Sequence, residues 1–348
     1  MWSSRVRARL VKAMAGKSGG KWPQVAGEPN PTHPDVIPEF KFFAVIKTWM
    51  DEDVVEATVR NATAQGAETV FIVDNGSTDA TVARAESAGA LLAESYETDV
   101  FEGRISQILI NAVIARQSLS CRAPFVWWLL LDSDEFPEGP DGLTIKEYLQ
   151  TLDRRFRLVG SSYFNHLPSG KPEYIPGFHP IDFQPLCEPF APRRHPPCER
   201  GHWKHPLQRF DRSGLFVTSG EGFHDATVRT GVPLIEPVGG IVTHHFQYRD
   251  ESLTRAKLEL TCGPGSTRTA LHESIGNKGF VARRRSIDAV YEQRWGDVVS
   301  LPNLHRPDRV DPRPWPHLDR VRRWYDVEQL AAGRQRWAAG ADATGVAD

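Results

Sequence analysis

The sequence predicts an α/β fold in which a mostly parallel sheet is covered by helices on both faces. Short apolar runs alternate with amphipathic helical stretches between residues 42 and 136. The longest apolar run, Phe125–Leu131, has seven residues and is too short and too apolar for a surface helix, so it is interpreted as a central strand. Parallel strands joined by crossover helices are buried on both faces, which accounts for runs without polar alternation.

The individual elements follow from local patterns along the chain. We expect strands where β-branched and aromatic residues cluster, and helices where apolar residues recur every three or four positions. Glu52 and Asp53 are favourable at the start of the first helix, and the turn-rich segment Asp74–Asp79 offers N-caps to the second. The predicted order is strand Phe42–Ile46, helix Val54–Ala64, strand Thr69–Val73, helix Ala80–Ala88, strand Ala90–Ala93, helix Arg104–Gln117 and strand Phe125–Leu131.

The chain changes character after Phe164. Ten prolines between Asn165 and Pro206 predict a long loop over residues 165–206. Downstream we expect a hairpin of Leu207–Phe210 with Leu215–Thr218, a strand Ile241–Phe246, and helices Ser252–Thr261 and Phe280–Trp295. The predicted organisation is a basic arm (1–38), a main domain (39–250), a C-terminal helical extension (251–330) and a disordered tail (331–348).

Composition excludes several classes of protein. Forty-two basic residues face 44 acidic ones, a net charge of −2 that gives no general attraction to nucleic acid. No apolar run approaches the ~20 residues of a membrane-spanning helix, and the arginine-containing start lacks the apolar core of a secretory signal. Four scattered cysteines do not suggest a disulfide framework. We therefore expect a cytoplasmic protein.

The N-terminal arm has two interpretations. Trp2, Val6, Leu10 and Met14 recur every four residues among basic side chains. This spacing fits an amphipathic helix that makes peripheral contact with an anionic membrane. A frayed basic tail explains the same residues.

The most specific pattern is Asp132-Ser133-Asp134-Glu135, which follows the central strand directly. Ligands of open parallel sheets bind beyond the carboxyl ends of the strands. Repulsion among three carboxylates predicts a neutralising cation, and oxygen ligands suit Mg²⁺ or Mn²⁺. The alternative is a solvated acidic turn that caps the next helix.

A second polar segment, Asp74–Asp79, also follows a predicted strand. Asp74 and Asn75 there are suited to bind a ribose or the edge of a base. Turn chemistry with a helix N-cap explains the same segment equally well.

Together these motifs resemble the inverting glycosyltransferases of family 2, which have the GT-A fold, a Rossmann-like sheet. The resemblance rests on Phe43–Lys47 with the acidic helix start after it, on Val73–Asp79 and on Leu130–Phe136, with weaker similarity as far as Lys257. Lys47–Asp53 departs from the Lys-Asn-Glu of relatives. The resemblance implies transfer of a sugar from a nucleoside diphosphate sugar to an acceptor hydroxyl, with a Mn²⁺ or Mg²⁺ ion on the diphosphate. The acceptor would be a sugar, a lipid-linked molecule or a natural product.

The same resemblance implies roles for individual residues. Asp134 would be the principal metal ligand, Asp132 would contact the ribose or the metal, and Asp74 the nucleoside. His245 or His244 would complete the metal site. Side chains alternate along a strand, so only one of the two can face that site. The residues that follow, Arg249, Ser252 and Lys257, resemble the pattern of relatives and favour His245. The donor site would also include Thr48, Asn75, Arg104 and Ser133. Inversion needs a carboxylate base, for which the spacing indicates Asp225 and next Glu221.

Two other functions remain open from the sequence. Nucleotidyltransferases also combine such a sheet with paired aspartates, but they bring a glycine-rich phosphate loop that Lys47–Asp53 lacks. A non-enzymatic scaffold on a decayed transferase core is the other alternative, either carbohydrate-binding or organised by zinc at Cys187, Cys198 and His202 with His195 and His205 nearby. The spacing of the two cysteines is longer than is usual in structural zinc sites.

Overall fold

The computed structural model describes residues 40–98, 103–154, 156–168, 177–187, 204–211, 217–219, 223, 226–228, 238–262, 287–294 and 313–314. The helices in this part of the chain are α1 (Val55–Ala64), α2 (Thr81–Ser87), α3 (Gly103–Ser120), α4 (Ile145–Thr151) and α5 (Glu251–Cys262). The strands are β1 (Lys41–Thr48), β2 (Thr69–Asp74), β3 (Leu91–Ser95), β4 (Phe125–Asp132), β5 (Glu135–Glu138), β6 (Leu158–Asn165), β7 (Leu186–Cys187), β8 (Lys204–Asp211), β9 (Val217–Ser219), β10 (Ala226–Val228), β11 (Val238–His245) and β12 (Arg313–Pro314).

Eight of these strands form one sheet in the order β3-β2-β1-β4-β8-β6-β11-β5. β1 pairs in parallel with both β2 and β4, β2 with β3, and β6 with β11. β8 is antiparallel to β4 and β6, and β5 is antiparallel to β11. The predicted α/β class and the mostly parallel sheet are therefore confirmed.

The core lies on both faces of the central strands, as runs such as Phe125–Leu131 predict. On one face Ile46 packs in a cluster with Val59 of α1. On the other face Val45 packs in a cluster with Val113 of α3. Burial on both faces leaves the ends of the strands as the place where polar side chains can gather.

The sheet curls so that its two halves meet at the end of β4. Only Ser133 and Asp134 separate β4 from β5, although β8, β6 and β11 lie between them in the sheet. Because a connection this short spans only about 10 Å, β5 and its partner β11 must return to the carboxyl end of β4. The Phe246 N–H accordingly donates to the Asp134 carbonyl at 2.9 Å.

Some predicted elements differ from the structure. β9 pairs with β10 in an antiparallel ribbon, so the predicted hairpin with Leu207–Phe210 is wrong; that segment belongs to β8, between β4 and β6. The loop predicted for 165–206 contains a 3₁₀ turn at Pro180–Asp182 and the strand β7, and its last residues begin β8. β6 was not predicted.

The two terminal segments, 1–38 and 331–348, lie outside the described residues. The membrane contact and the disorder expected of them stay predictions. Residues 287–291 are helical within the predicted Phe280–Trp295. None of the described helices is both long and apolar enough to cross a membrane.

Candidate functional site

Asp134 and His245 face each other where the β4–β5 turn meets the end of β11. The Asp134 Oδ2 lies 3.7 Å from the His245 Nε2. On the other side of the ring, Nδ1 lies 2.8 Å from the Asn165 Oδ1. Because an amide oxygen only accepts hydrogen bonds, the neutral ring carries its proton on Nδ1 and presents the Nε2 lone pair to Asp134.

This pair fits a divalent cation. A separation of 3.7 Å is too long for a hydrogen bond, and it is short enough for one ion between the two atoms to contact both at about 2.1 Å. A histidine whose second nitrogen is fixed by a hydrogen bond is the usual form of a metal ligand. Among the described residues no group of three or more His, Cys, Asp or Glu side chains is arranged to hold a metal. Mg²⁺ sites often use one or two protein ligands, with substrate phosphates and water as the others.

His244 lies away from this site. Its side chain is buried, and its Nδ1 lies 2.9 Å from the His166 Nε2. Its Nε2 is 4.0 Å from the Glu138 Oε1. Since neighbouring strand residues face opposite sides, only His245 reaches Asp134, and the metal role expected of His244 is corrected.

Asp132, the other aspartate of the motif, lies between two lysines. The Lys47 Nζ is 2.8 Å from its Oδ1, and the Lys204 Nζ is 3.1 Å from its Oδ2. Burial alone would raise the pKa of Asp132, but Lys204 and Lys47 hold that pKa well below its usual range. Asp132 is therefore a carboxylate whose two oxygens both contact ammonium groups.

Glu135 is fully buried behind Lys204, with which it forms an ion pair. The Tyr163 hydroxyl donates to its Oε2 at 3.3 Å. Burial raises the pKa of Glu135 to about 7, and the nearby Asp132 carboxylate adds to the rise although Lys204 opposes it.

Arg249 joins the motif to the loop after β1. Its guanidinium lies 2.8 Å from the Asp51 Oδ1, 2.6 Å from the Asp53 Oδ2 and 3.6 Å from the Asp134 Oδ2. Lys257 of α5 also contacts Asp51. Burial would raise the pKa of Asp134; His245 in its protonated form, together with Arg249 and Lys257, holds that pKa well below its usual range.

These ion pairs correct one step of the sequence argument. Repulsion among the carboxylates was expected to require a bound metal, yet basic side chains of the chain itself neutralise them. The structural case for a metal rests instead on the geometry of Asp134 and His245. The basic residues concerned are Lys47, Lys204, Arg249 and Lys257.

The polar segment after β2 is held together by Asp74. Its Oδ1 accepts from the Thr48 hydroxyl at 2.9 Å and from the Ser77 hydroxyl at 2.7 Å, and its Oδ2 accepts from the Ser77 N–H at 2.9 Å. Asn75 is buried, and its Oδ1 accepts from the Thr98 hydroxyl at 3.1 Å. Its Nδ2 has no hydrogen-bond partner within the described part of the chain. The turn chemistry is real, and it brings Thr48, Asp74 and Asn75 together at the ends of β1 and β2.

Only some of the other predicted residues lie within the described part of the chain. Ser133 is buried, and its carbonyl accepts from the Thr58 hydroxyl, so its visible contact is to α1. Arg104 is the second residue of α3, whose N-terminus lies at the carboxyl edge of the sheet because α3 leads from β3 to the parallel β4.

Asp225 and Glu221 lie outside the described residues, as do Cys198, His195 and His202. Cys187 is buried in β7 and His205 lies in β8.

No family model and no curated protein matches this chain. Solved structures are similar to it at low identity. Glucosyl-3-phosphoglycerate synthase from Mycobacterium tuberculosis, in complex with Mg²⁺ and uridine diphosphate, has 16% identity and a TM-score of 0.34 over 91% of this chain and 92% of that chain. A structure described as a mycobacterial protein has 16% identity and a TM-score of 0.32 over 91% of this chain and 88% of that one.

The same synthase with Mn²⁺, uridine diphosphate glucose and phosphoglyceric acid matches at 19% identity and a TM-score of 0.25. That match covers 35% of this chain and 44% of the synthase, so the chain spans less than half of that protein here. At these TM-scores the similarity carries no conclusion about what this chain binds or does.

Proposed function

We propose that this chain is a metal-dependent glycosyltransferase of the GT-A type, which uses a nucleoside diphosphate sugar as donor. The observation that carries the proposal is the pairing of Asp134 with the Nε2 of His245, 3.7 Å apart at the carboxyl edge of the sheet. The sequence motifs that end β2 and β4 support it, because both lie at that edge.

Asp134 and His245 are the residues that would hold a Mn²⁺ or Mg²⁺ ion. Such an ion supplies positive charge to the departing diphosphate. Asn165 orients the imidazole, and Arg249 orients the Asp134 carboxylate by a contact of 3.6 Å. Asp74 and its neighbours Thr48 and Asn75 would bind the nucleoside.

Membership of family 2 and inversion at the sugar carbon are the finer parts of the proposal, and they rest on the sequence motifs. Inversion requires a carboxylate that takes the proton of the acceptor hydroxyl. Asp225 is the first candidate for this base and Glu221 the second. Arg104 and Ser133 are proposed to approach the donor, and the acceptor is a sugar, a lipid-linked molecule or a natural product.

A thermal-shift screen tests the proposal. We expect UDP, GDP or one of their sugars to raise Tm in the presence of Mn²⁺, and Asp134→Asn to remove the Mn²⁺-dependent part of the shift. Transfer activity of that variant should fall by about 100-fold or more, because the charge on the leaving diphosphate is no longer offset.

Asp141→Asn is the matched control, since Asp141 is exposed and its left-handed backbone is one that asparagine tolerates. If no nucleoside diphosphate or nucleotide sugar raises Tm with Mn²⁺, the proposal is wrong. Release of pyrophosphate from a nucleoside triphosphate would favour the nucleotidyltransferase alternative.

A further inference from the structure

We infer that Lys47 and Lys204 form an anion-binding lysine pair for a phosphoryl group of the donor, and that Asp132 positions this pair instead of binding the metal. The inference rests on the proposed function, because it assigns the residues that receive the diphosphate. It separates the two aspartates of the Asp-x-Asp motif into different tasks.

The sheet topology brings the pair together. β4 lies between β1 and β8, so Asp132 at the end of β4 has a neighbour on each side. Lys47 is the direct register partner of Asp132 in the parallel β1. Lys204 begins β8, and because β8 is antiparallel to β4, its first residue lies at the end of β4.

Both oxygens of Asp132 lie within ion-pair distance of these ammonium groups, at 2.8 and 3.1 Å. Two ammonium groups so close to each other would repel, and the carboxylate between them offsets that repulsion. Burial would lower the pKa of Lys204, but Asp132 and Glu135 hold that pKa well above its usual value, so this lysine is charged at neutral pH.

Aromatic rings hold each ammonium group in place. The Lys47 Nζ lies 5.2 Å from the centre of the Phe223 ring, and the Lys204 Nζ lies 5.2 Å from the centre of the Tyr163 ring. Such cation–π contacts stabilise a charged ammonium group without neutralising it. The lysine side chains remain 16% and 10% exposed, and that of Asp132 22%, so an anion can approach the pair.

The position of the pair favours a phosphoryl group of the donor. Asp132 is separated from Asp134 by Ser133 alone, so one diphosphate can contact both the lysine pair and an ion held by Asp134 and His245. The N-terminus of α3, which attracts anions, lies at the same edge of the sheet. Lysines bind phosphate as compact point charges.

Mn²⁺ binding in the absence of nucleotide tests the division of tasks between the aspartates. Titration followed by electron paramagnetic resonance should give Asp132→Asn an affinity within about twofold of the wild type, since its oxygens face ammonium groups. Asp134→Asn should weaken binding by about tenfold or more. Equal losses in both variants would return Asp132 to the metal and overturn the inference.

Calorimetry with UDP and GDP at saturating Mn²⁺ tests the lysine pair. Lys47→Met should lower the affinity for the nucleoside diphosphate by about tenfold or more, because a charge-assisted contact is lost, and should leave the affinity for the corresponding nucleoside unchanged. Lys204→Met is made together with Glu135→Gln, so that no buried carboxylate is left without its partner. Lys146→Met is the control, because Lys146 forms an exposed ion pair with Glu68.

The outcomes separate this inference from the proposed function. If the wild type binds neither nucleotide with Mn²⁺, both fail. If it binds one and both lysine variants bind it equally well, only the inference fails. Inorganic phosphate is then titrated into protein saturated with nucleotide and Mn²⁺. If the lysine variants lose only this phosphate binding, the pair serves an anionic acceptor and the assignment to the donor is wrong.

Discussion

Arg249→Gln is expected to destabilise the fold strongly. Arg249 is almost completely buried, and it forms close ion pairs with Asp51 at 2.8 Å and Asp53 at 2.6 Å and a longer contact with Asp134 at 3.6 Å. Removing one partner of a buried ion pair leaves charge without compensation, which costs about 3–5 kcal/mol. Asp51 keeps Lys257, whose charge also acts on Asp134. We therefore expect the lower end of that range, about 3 kcal/mol in the free energy of unfolding.

Thermal denaturation checks this value. For a chain of 348 residues, each kcal/mol lowers Tm by about 1.4 °C, so the expected decrease is about 4 °C. Arg255→Gln is a matched control, because Arg255 also contacts two carboxylates, Glu251 at 2.8 Å and Asp288 at 2.6 Å, but is 40% exposed. Exposed pairs contribute at most about 1 kcal/mol. Equal losses in the two variants would refute the reasoning that burial makes Arg249 decisive.

Two further predictions concern the base and pH. Asp225→Asn should keep donor and metal affinity while turnover falls by about 100-fold or more, whereas Glu221→Gln should lower turnover only slightly. Steady-state kinetics measures turnover and calorimetry measures the affinities. If Glu221→Gln lowers turnover more than Asp225→Asn does, the base is Glu221. Burial holds the pKa of His166 and of His179 well below 6.5. The folded state therefore favours the neutral form of both rings. Below pH 6.5 the free energy of unfolding decreases by about 1.4 kcal/mol per pH unit for each histidine, until the pH reaches the pKa of that histidine in the folded protein. Protonation of Glu135, whose pKa is about 7, stabilises the fold over the same range, so the comparison uses the Glu135→Gln variant; its urea unfolding at pH 7.5 and 5.5 should show this decrease, and equal stability at both values would contradict it.

Strands β1, β2 and β4 were predictable because they are continuous apolar runs buried on both faces. β8 was harder to predict, since Pro206 lies within it. The structure accommodates this proline where pairing is irregular: the ladder of β8 with β4 starts at Leu207, and the register with β6 shifts between Val159 and Ser161. A proline that cannot donate to the ladder is tolerated at such a position.

The candidate site was predictable in its position but not in its charge balance. The end of the central strand placed Asp132 and Asp134 at the carboxyl edge. The basic partners of the site's carboxylates come from distant parts of the chain: Lys204 is 72 residues from Asp132, and Arg249 is 198 residues from Asp51. Sequence spacing gives no indication of such pairs, because they depend on how β8 and β11 insert into the sheet.

The charge balance of the described site also implies an order of binding. Five carboxylates face four lysine or arginine side chains, so the site is slightly negative when all are ionised, and nearer neutral to the extent that Glu135 is protonated around its pKa of about 7. A divalent ion at Asp134 and His245 would reverse this sign, and only then would the site attract a diphosphate. Metal is therefore expected to bind before nucleotide. The groups concerned are Asp51, Asp53, Asp132, Asp134 and Glu135, with Lys47, Lys204, Arg249 and Lys257.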